Sequence, residues 1–313
     1  MSHLELPAQL KAAVLCDALP YIRRFVGRTV VIKYGGNALV VPAGSPVRIL
    51  PVGAPHDGEE QGDREAEALQ RFAEDVVLLR SIGILPVVVH GGGPQIGSLM
   101  KRLGKVPEFR DGLRVTDAET LEIARMVLVG KVNRDIVGMI NVHGPLAVGL
   151  SGEDAGLITA TARDPELGFV GDVGAVDASI IHRLLAEGLV PVIATIGSDR
   201  TGQAYNINAD TVAGAIAETL EAEKLVFLTD VEGIRSDPSD ASTLIHRVDD
   251  GELDAMIASG AVGEGMVPKA VACTHAVRHG VASAHVLDGR VPHAILLELL
   301  TSEGVGTMVV AKS

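Results

Sequence analysis

The chain has 313 residues, 47% of them hydrophobic, which is enough to bury a substantial core. A net charge of −13 and only 3% aromatic residues argue against nucleic-acid binding, because phosphates would be repelled and few side chains could stack on bases. The sequence shows neither a membrane-spanning run nor a secretion signal, and its two cysteines, Cys16 and Cys273, predict packing roles without disulfides. A cytoplasmic protein is expected.

The first predicted element is a helix over residues 7–27, kinked or broken at Pro20. Its apolar residues fall on roughly one side, so this helix could pack on its own domain or on another subunit. Residues 41–63, rich in Pro and Gly, follow the first strand and predict a long solvated loop. A tolerated surface insertion is the favoured interpretation of this loop, ahead of a functional lid.

Apolar, β-branched runs then alternate with helical patterns along the chain. The predicted strands are residues 29–33, 84–90, 146–150, 190–196, 224–229, 284–287 and 307–310. The predicted helices are residues 64–81, 116–142, 178–187, 210–221 and 268–279. Because the apolar runs are continuous rather than alternating, they favour a parallel sheet buried on both faces, in an α/β sandwich.

Two glycine-rich turns follow the first two strands, at residues 34–37 and 90–94. Glycine lets successive backbone N–H groups converge on an anion, so two such turns could face each other across one site. The P-loop and the G-x-G-x-x-G fingerprint do not occur, and neither do C-x-x-C or H-E-x-x-H motifs. The ten histidines form no recognisable ligand cluster, so no protein-held catalytic metal is predicted.

Two further segments place polar residues at predicted helix starts. Asn206 and Asn208 precede a helix whose first turn holds Asp210, which in isolation is more typical of a capping residue. Lys269 ends the glycine loop 263–269 at another helix start, an unfavourable place for a cation. Lys269 therefore needs an anionic partner, either Asp210 or a bound phosphate.

Taken together, these sequence segments resemble those of the N-acetylglutamate kinases of arginine biosynthesis, within the amino acid kinase superfamily. The likeness extends over residues 18–310 and includes VIKYGGNAL, VVHGGGPQIG, DGLRVTDAET, VLVGKVNRDIV, YNINADTVAGAIA and GMVPK. It implies a three-layer α/β/α sandwich with a central, mainly parallel sheet and an extra N-terminal helix. The implied reaction is ATP-dependent phosphorylation of the γ-carboxylate of N-acetyl-L-glutamate, with Mg²⁺ carried by the nucleotide.

The resemblance also implies roles for individual residues. Lys33 and Lys269 would stabilise the transferring phosphoryl group, Asp210 would orient both lysines, and the Gly36 amide would hold phosphoryl oxygens. The implied substrate-binding residues are Gly92, Gly93, Arg114 and Asn206. The implied nucleotide-binding residues are Thr229, Asp230, Gly233, Gly265 and Met266. Without the resemblance to the family, the simpler interpretation of Arg114 would be that it belongs to a surface ion pair.

The termini resemble the arginine-inhibited, hexameric branch of the family. Residues 1–27 would form an oligomerisation helix, residues 28–195 an acyl-amino-acid-binding and dimerisation lobe, and residues 196–313 a nucleotide and effector lobe of the same continuous domain. The implied arginine-site residues are Tyr21, His285, Glu298 and Gly304. The alternative for His285 and Glu298 is an ordinary strand-end residue and a helix-surface acid. No nitrogen-signalling partner can be identified from the sequence.

The chain departs from the family pattern at the loop 41–63, at Glu153 where lysine is common, and at Glu264 where glycine is common. None of these changes removes a proposed catalytic residue. Two alternatives remain open. One is a superfamily kinase acting on aspartate, glutamate, carbamate or a related acid. The other is a catalytically silent arginine-sensing protein.

Overall fold

The computed structural model describes residues 7–35, 59–237, 239–263, 265–302 and 304–312. The helices in these ranges are α1 (Ala8–Phe25), α2 (Glu59–Ser81), α3 (Gly93–Arg102), α4 (Ala118–Arg125), α5 (Asn133–Asn141), α6 (Ser179–Ala186), α7 (Ala209–Thr219), α8 (Asp250–Ala258), α9 (Val267–Arg278) and α10 (Ala294–Leu300). No helix in the described part of the chain is long and apolar enough to cross a membrane.

The strands form one large sheet and two smaller β units. They are β1 (Thr29–Tyr34), β2 (Leu85–His90), β3 (Phe109–Arg110), β4 (Leu113–Arg114), β5 (Ala147–Ser151), β6 (Ile158–Ala162), β7 (Val170–Val176), β8 (Val190–Ala194), β9 (Ile196–Ser198), β10 (Ala204–Ile207), β11 (Lys224–Thr229), β12 (Arg247–Asp249), β13 (Ser283–Asp288) and β14 (Thr307–Val310). The large sheet has the order β12-β14-β13-β11-β1-β2-β8-β5. All its pairs are parallel except β13 with β14.

Two apolar cores lie on opposite faces of this sheet, because successive side chains of a strand point to opposite sides. Val30 and Ile32 of β1 belong to the core beneath α2, α4, α5 and α10. Val31 of the same strand belongs to the core beneath α6, α7, α8 and α9. The predicted three-layer sandwich with a mainly parallel sheet is confirmed.

The smaller β units were not predicted from the sequence. Strands β6, β7, β9 and β10 close into a small barrel beside the sheet, and β3 pairs with β4 in a hairpin. The run 190–196, predicted as one strand, is divided at Thr195, because β8 stays in the sheet while β9 joins the barrel. A run of apolar residues indicates that a strand is buried, but it does not indicate to which of two sheets the strand belongs.

Two helix predictions also need correction. The segment 116–142 is not one regular helix: a π-helical stretch, Met126–Val132, separates α4 from α5. Helix α2 begins at Glu59, so residues 59–63, predicted as loop, are helical. These five residues, EEQGD, contain no proline and are compatible with a helix. The rest of the predicted loop, 41–58, lies outside the described residues. Helices α3, α8 and α10 were not predicted.

Helix α1 projects from the fold, because its first ten residues are all exposed. Its side chains Leu10, Val14 and Leu15 are uncovered in the single chain, and only Phe25 at its end is buried. Cys16 is exposed on this helix, so its predicted packing role is wrong for the single chain, whereas Cys273 is buried as predicted. Burial raises the pKa of the Cys273 thiol and keeps it uncharged.

Candidate active site

The carboxyl ends of four neighbouring parallel strands meet at one edge of the sheet. Tyr34 at the end of β1 is aligned with His90 of β2 and Leu228 of β11, and His90 is aligned with Ala194 of β8. In open α/β sheets this edge is where ligands bind. A cavity of about 380 Å³ lies there, lined by Lys33, Gly91–Gly93, Arg114, Thr195, Asn206, Asp210 and Lys269, among others.

A second cavity, of about 440 Å³, adjoins the first on the side of β11. Both are lined by Thr229, Asp230 and Lys269, so the two spaces meet at these residues. The second cavity is otherwise formed by residues 231–235 and by the loop before α9. All five predicted nucleotide-binding residues line it: Thr229, Asp230, Gly233, Gly265 and Met266.

Two lysines and one aspartate line the first cavity, and one of them, Lys269, also lines the second. Asp210 Oδ1 is 2.8 Å from Lys33 Nζ, and Asp210 Oδ2 is 3.3 Å from Lys269 Nζ. Burial alone would raise the pKa of the Asp210 carboxyl, but the charges of Lys33 and Lys269 more than offset this and the pKa lies below its usual value. The carboxylate is therefore ionised near neutral pH and holds one lysine with each oxygen.

The local sequence explains how these groups are presented. Lys33 extends from β1 towards the face covered by α7 and α9, and Asp210 is the second residue of α7. The cap of α7 is Asn208, whose side-chain oxygen accepts hydrogen bonds from the backbone N–H groups of Asp210 and Thr211. The capping role considered for Asp210 is thus wrong, since Asn208 supplies the cap and leaves the Asp210 carboxylate for the lysines.

Neighbouring atoms closely approach two glycines that line the cavity. A Cβ on Gly92 would lie 2.7 Å from Leu128 Cδ2, which the π-helical stretch directs onto the glycine turn. A Cβ on Gly35 would lie 3.0 Å from the carbonyl oxygen of Leu228. Gly35 after β1 and Gly91–Gly93 after β2 line the same cavity, as expected for turns that face one site. Gly36 lies outside the described residues.

A buried histidine supports the second glycine turn. His90 Nδ1 donates to the carbonyl oxygen of Gly91 at 3.0 Å, and His90 Nε2 accepts from Asn133 Nδ2 at 3.0 Å. Asn133 Nδ2 also donates to the carbonyl oxygen of Val192 at 2.9 Å. Burial lowers the pKa of His90 to about 4, so the ring is neutral and can accept at Nε2. His90 and Asn133 thereby hold the base of the turn, a role that was not predicted from the sequence.

Arg114, at the end of β4, is a buried cation facing the first cavity. Its Nη2 donates to the carbonyl oxygen of Gly93 at 2.9 Å, and its guanidinium lies 4.7 Å from the centre of the Phe109 ring. Burial lowers the pKa of Arg114. Within the described ranges no carboxylate forms an ion pair with Arg114, so the surface ion pair considered for it is wrong. An uncompensated buried cation is suited to an anionic ligand.

A separate buried polar cluster lies between β11, β13 and α10. His285 Nδ1 is 2.9 Å from Glu298 Oε1, and Lys224 Nζ is 3.6 Å from the same oxygen. Lys224 Nζ also donates to His285 Nε2 at 3.1 Å, which assigns the ring proton to Nδ1. Burial lowers the pKa of His285 despite Glu298, in keeping with a neutral ring. The surface-acid alternative for Glu298 is wrong, because its side chain is only 9% exposed.

The other predicted effector residues lie around this cluster. A Cβ on Gly304 would be 3.6 Å from Glu298 Oε2. Tyr21 lies on α1, one turn before Phe25, whose ring centre is 5.4 Å from Lys224 Nζ. Lys224 was missed because a lysine at the start of an apolar strand gives no signal until β13 and α10 are placed beside it. Glu153 forms an ion pair with Arg125 at 3.0 Å, and Glu264 lies outside the described residues.

The fold and the site define a class of phosphate-handling α/β protein, and comparison with known proteins names it. A model of the amino acid kinase family matches residues 28–288, and the chain belongs to this family. A curated acetylglutamate kinase from Symbiobacterium thermophilum is 52% identical, covering 96% of this chain and 97% of its own length. Another, from Synechocystis sp., is 46% identical over 97% of this chain and 95% of its own length. The predicted resemblance to acetylglutamate kinases is confirmed.

Solved structures share the fold. N-acetylglutamate synthase from Neisseria gonorrhoeae, complexed with coenzyme A and N-acetyl-glutamate, aligns with a TM-score of 0.77 and 25% identity over 96% of this chain. The present chain spans 64% of that protein's length. Carbamate kinase from Giardia lamblia, bound to AMP-PNP, aligns with a TM-score of 0.63 at 16% identity, over 91% of this chain and 99% of its own length.

Proposed function

We propose that this chain transfers the γ-phosphoryl group of ATP to the γ-carboxylate of N-acetyl-L-glutamate. The products are N-acetyl-L-glutamyl 5-phosphate and ADP, a step of arginine biosynthesis. The observation that carries the proposal is the Lys33–Asp210–Lys269 arrangement where two cavities meet. One cavity is suited to an anionic acid and the other to a nucleotide, so the phosphoryl group would pass between them at the two lysines.

The residues at the junction suit phosphoryl transfer between oxygens. Charge spreads over the phosphoryl oxygens in the transition state, and fixed cations placed there in advance stabilise it. Lys33 and Lys269 are such cations, because Asp210 holds both ammonium groups. Asp210 acts as a positioning residue rather than a base, since an acceptor carboxylate is already ionised near neutral pH. Backbone amides of the glycine turns, including that of Gly36, hold the phosphoryl oxygens.

The acceptor is held in the first cavity. The guanidinium of Arg114 binds the α-carboxylate of N-acetylglutamate, and Gly92, Gly93 and Asn206 complete the pocket. Gly93 serves twice, because its carbonyl oxygen accepts a hydrogen bond from Arg114 and so fixes the direction of the guanidinium. Two parallel N–H···O bonds to a carboxylate give orientation as well as affinity.

ATP occupies the second cavity, over Gly233 and the Gly265–Met266 segment. Two carboxylates line the first cavity: Asp210, which is engaged by two lysines, and Asp230. This donor set does not make a cage for a metal, so Mg²⁺ is held mainly by the nucleotide phosphates and water. Bound in this way, Mg²⁺ neutralises phosphate charge.

The substrate proposal is tested by measuring ADP release with N-acetyl-L-glutamate, L-glutamate, L-aspartate and carbamate as acceptors. We expect kcat/KM to be at least about 100-fold higher for N-acetyl-L-glutamate, because its acyl group fills a pocket that the smaller acids leave partly empty. Preference for another acid would make the chain a different kinase of this family. Absence of turnover with all four acids, despite ATP binding, would instead favour a catalytically silent protein.

Arginine control and a hexamer of three dimers form the finer part of the proposal. The Lys224–His285–Glu298 cluster provides an anionic group beside the end of α1, where a guanidinium or ammonium could bind. Gly304 lies beside Glu298, whose Oε2 accepts a hydrogen bond from the Val305 N–H at 3.1 Å, and Tyr21 lies on the neighbouring helix. The uncovered apolar side chains of α1 favour its packing against another subunit. We assign residues 1–27 to assembly, 28–195 to acceptor binding and 196–313 to nucleotide and effector binding.

Deleting residues 1–24 should convert the hexamer to dimers and weaken inhibition by arginine, because the deletion removes most of α1 and Tyr21. Light scattering gives the assembly size, and inhibition curves give the arginine concentration for half-inhibition. Deleting only residues 1–7 is the matched control, since it leaves α1 intact. Equal arginine inhibition of both deletion variants would remove α1 from the control mechanism.

A further inference from the structure

A cluster of metal-ligating side chains lies at the surface, away from the proposed active site. Glu218 comes from the last turn of α7, His275 comes from the last turn of α9, and His279 is the residue that caps the end of α9. These residues offer ligand atoms that all lie within 4.8 Å of one another. This cluster could not be predicted from the sequence, because its third member is contributed by another helix.

The spacing of the two histidines suits a shared ligand. Residues four apart on a helix lie on the same face, and the His275 and His279 rings stack with their centres 4.0 Å apart. His279 Nδ1 donates to the carbonyl oxygen of His275 at 2.7 Å, which leaves Nε2 of His279 with a free lone pair. A metal-binding histidine typically has its other ring nitrogen held in this way.

Glu218 supplies the negative charge. Its Oε1 is 2.6 Å from His275 Nδ1, although the two residues are on different helices. Two imidazoles and one carboxylate form a ligand set that Zn²⁺ accepts at about 2.0–2.2 Å, with ligand atoms then roughly 3.3 Å apart. The His275 side chain is 59% exposed, so small rotations can bring the three ligand atoms to that spacing.

We propose that Glu218, His275 and His279 form a binding site for a late first-row divalent cation, represented by Zn²⁺. Imidazole ligands favour such ions over Mg²⁺, so the site is chemically distinct from the nucleotide's metal. The ion would join the carboxyl ends of α7 and α9. The opposite ends of these helices carry Asp210 and Lys269, which are already joined by an ion pair. Metal binding would therefore tie the two helices together at both ends and stabilise the fold.

The test is calorimetric titration of the untagged chain with Zn²⁺ in a buffer containing Mg²⁺. All variants carry Cys16→Ser, because the exposed Cys16 thiol could also bind Zn²⁺. We expect one ion per chain, and binding at least about tenfold weaker in His279→Ala and in Glu218→Gln. His182→Ala, which removes an exposed histidine on α6, is the matched control and should bind as the parent does.

Thermal unfolding provides a second readout that does not depend on activity. Zn²⁺ should raise the Tm of the parent and of His182→Ala, and should leave the His275→Ala/His279→Ala double variant unchanged. Alanine is well tolerated in helices, so the variants should fold. Zn²⁺ affinity and Tm response in the double variant equal to those of the parent, or no binding by the parent at micromolar Zn²⁺, would overturn the proposal.

Discussion

Replacing Lys33 with alanine should lower kcat by about 10²–10³-fold, the effect of removing one fixed charge-stabilising group from a transition state. The fold should survive, because the buried Asp210 carboxylate keeps Lys269 as a partner. The KM for ATP should change much less, since the nucleotide is held mainly by the second cavity. Steady-state ADP release, with circular dichroism to verify folding, measures these effects.

Two further variants sharpen this test. Lys33→Met keeps the length of the side chain without its charge, so it should be as slow as Lys33→Ala if the charge matters. Lys131→Ala is the matched control, because Lys131 is exposed and pairs with the nearby Asp135, away from the proposed site. Near-normal kcat in Lys33→Met would remove Lys33 from the catalytic groups.

Replacing Arg114 with lysine should raise the KM for N-acetyl-L-glutamate by about 10- to 100-fold while the KM for ATP stays nearly unchanged. The lysine keeps the positive charge but lacks the planar fork that binds both carboxylate oxygens. It also loses the contact that Arg114 makes with the Phe109 ring. A hydrogen bond to a charged group contributes about 1.5–3 kcal/mol, which corresponds to this change in KM.

The hairpin that carries Arg114 offers a matched control. Arg110, on the adjacent strand β3, is exposed and pairs with Glu166. Arg110→Lys should therefore leave both Michaelis constants nearly unchanged. If Arg114→Lys altered only the KM for ATP, the acceptor would have to bind elsewhere and Arg114 would lose its assigned role.

Much of the fold was predictable, because buried strands and helices have recognisable local patterns of apolar residues. The seven predicted apolar runs became strands of the large sheet, with only 190–196 divided, since strands covered on both faces need continuous apolar residues. The π-helical stretch and the small barrel were not predictable. Their apolar patterns resemble those of a regular helix or strand, and only packing selects between these conformations.

In the candidate site, too, some residues could be predicted from the sequence and others could not. The glycine turns and Lys269 could be selected from the sequence, because three consecutive glycines and a lysine at a helix start are unusual. The roles of Lys33 and Gly92 were implied by the resemblance to the family. The role of Asp210 could not be chosen from its surroundings in the chain, which favoured a cap, until Asn208 was found to supply the cap. The roles of His90 and Asn133 could not be predicted, because the role of a buried polar residue is evident only from its hydrogen-bond partners in the folded chain.

The amino-acid sequence alone was sufficient for the layered α/β architecture and the glycine turns, since these follow from local patterns of burial and backbone freedom. It was also sufficient for the family, through the resemblance of its motifs. The folded chain was needed to show that Asp210 holds two lysines, that Arg114 is buried facing the cavity, and that Glu218 approaches His275. The physical reason is distance along the chain. Charges and ligands act through space, and each of these contacts joins residues that only the packing of helices on the sheet brings together.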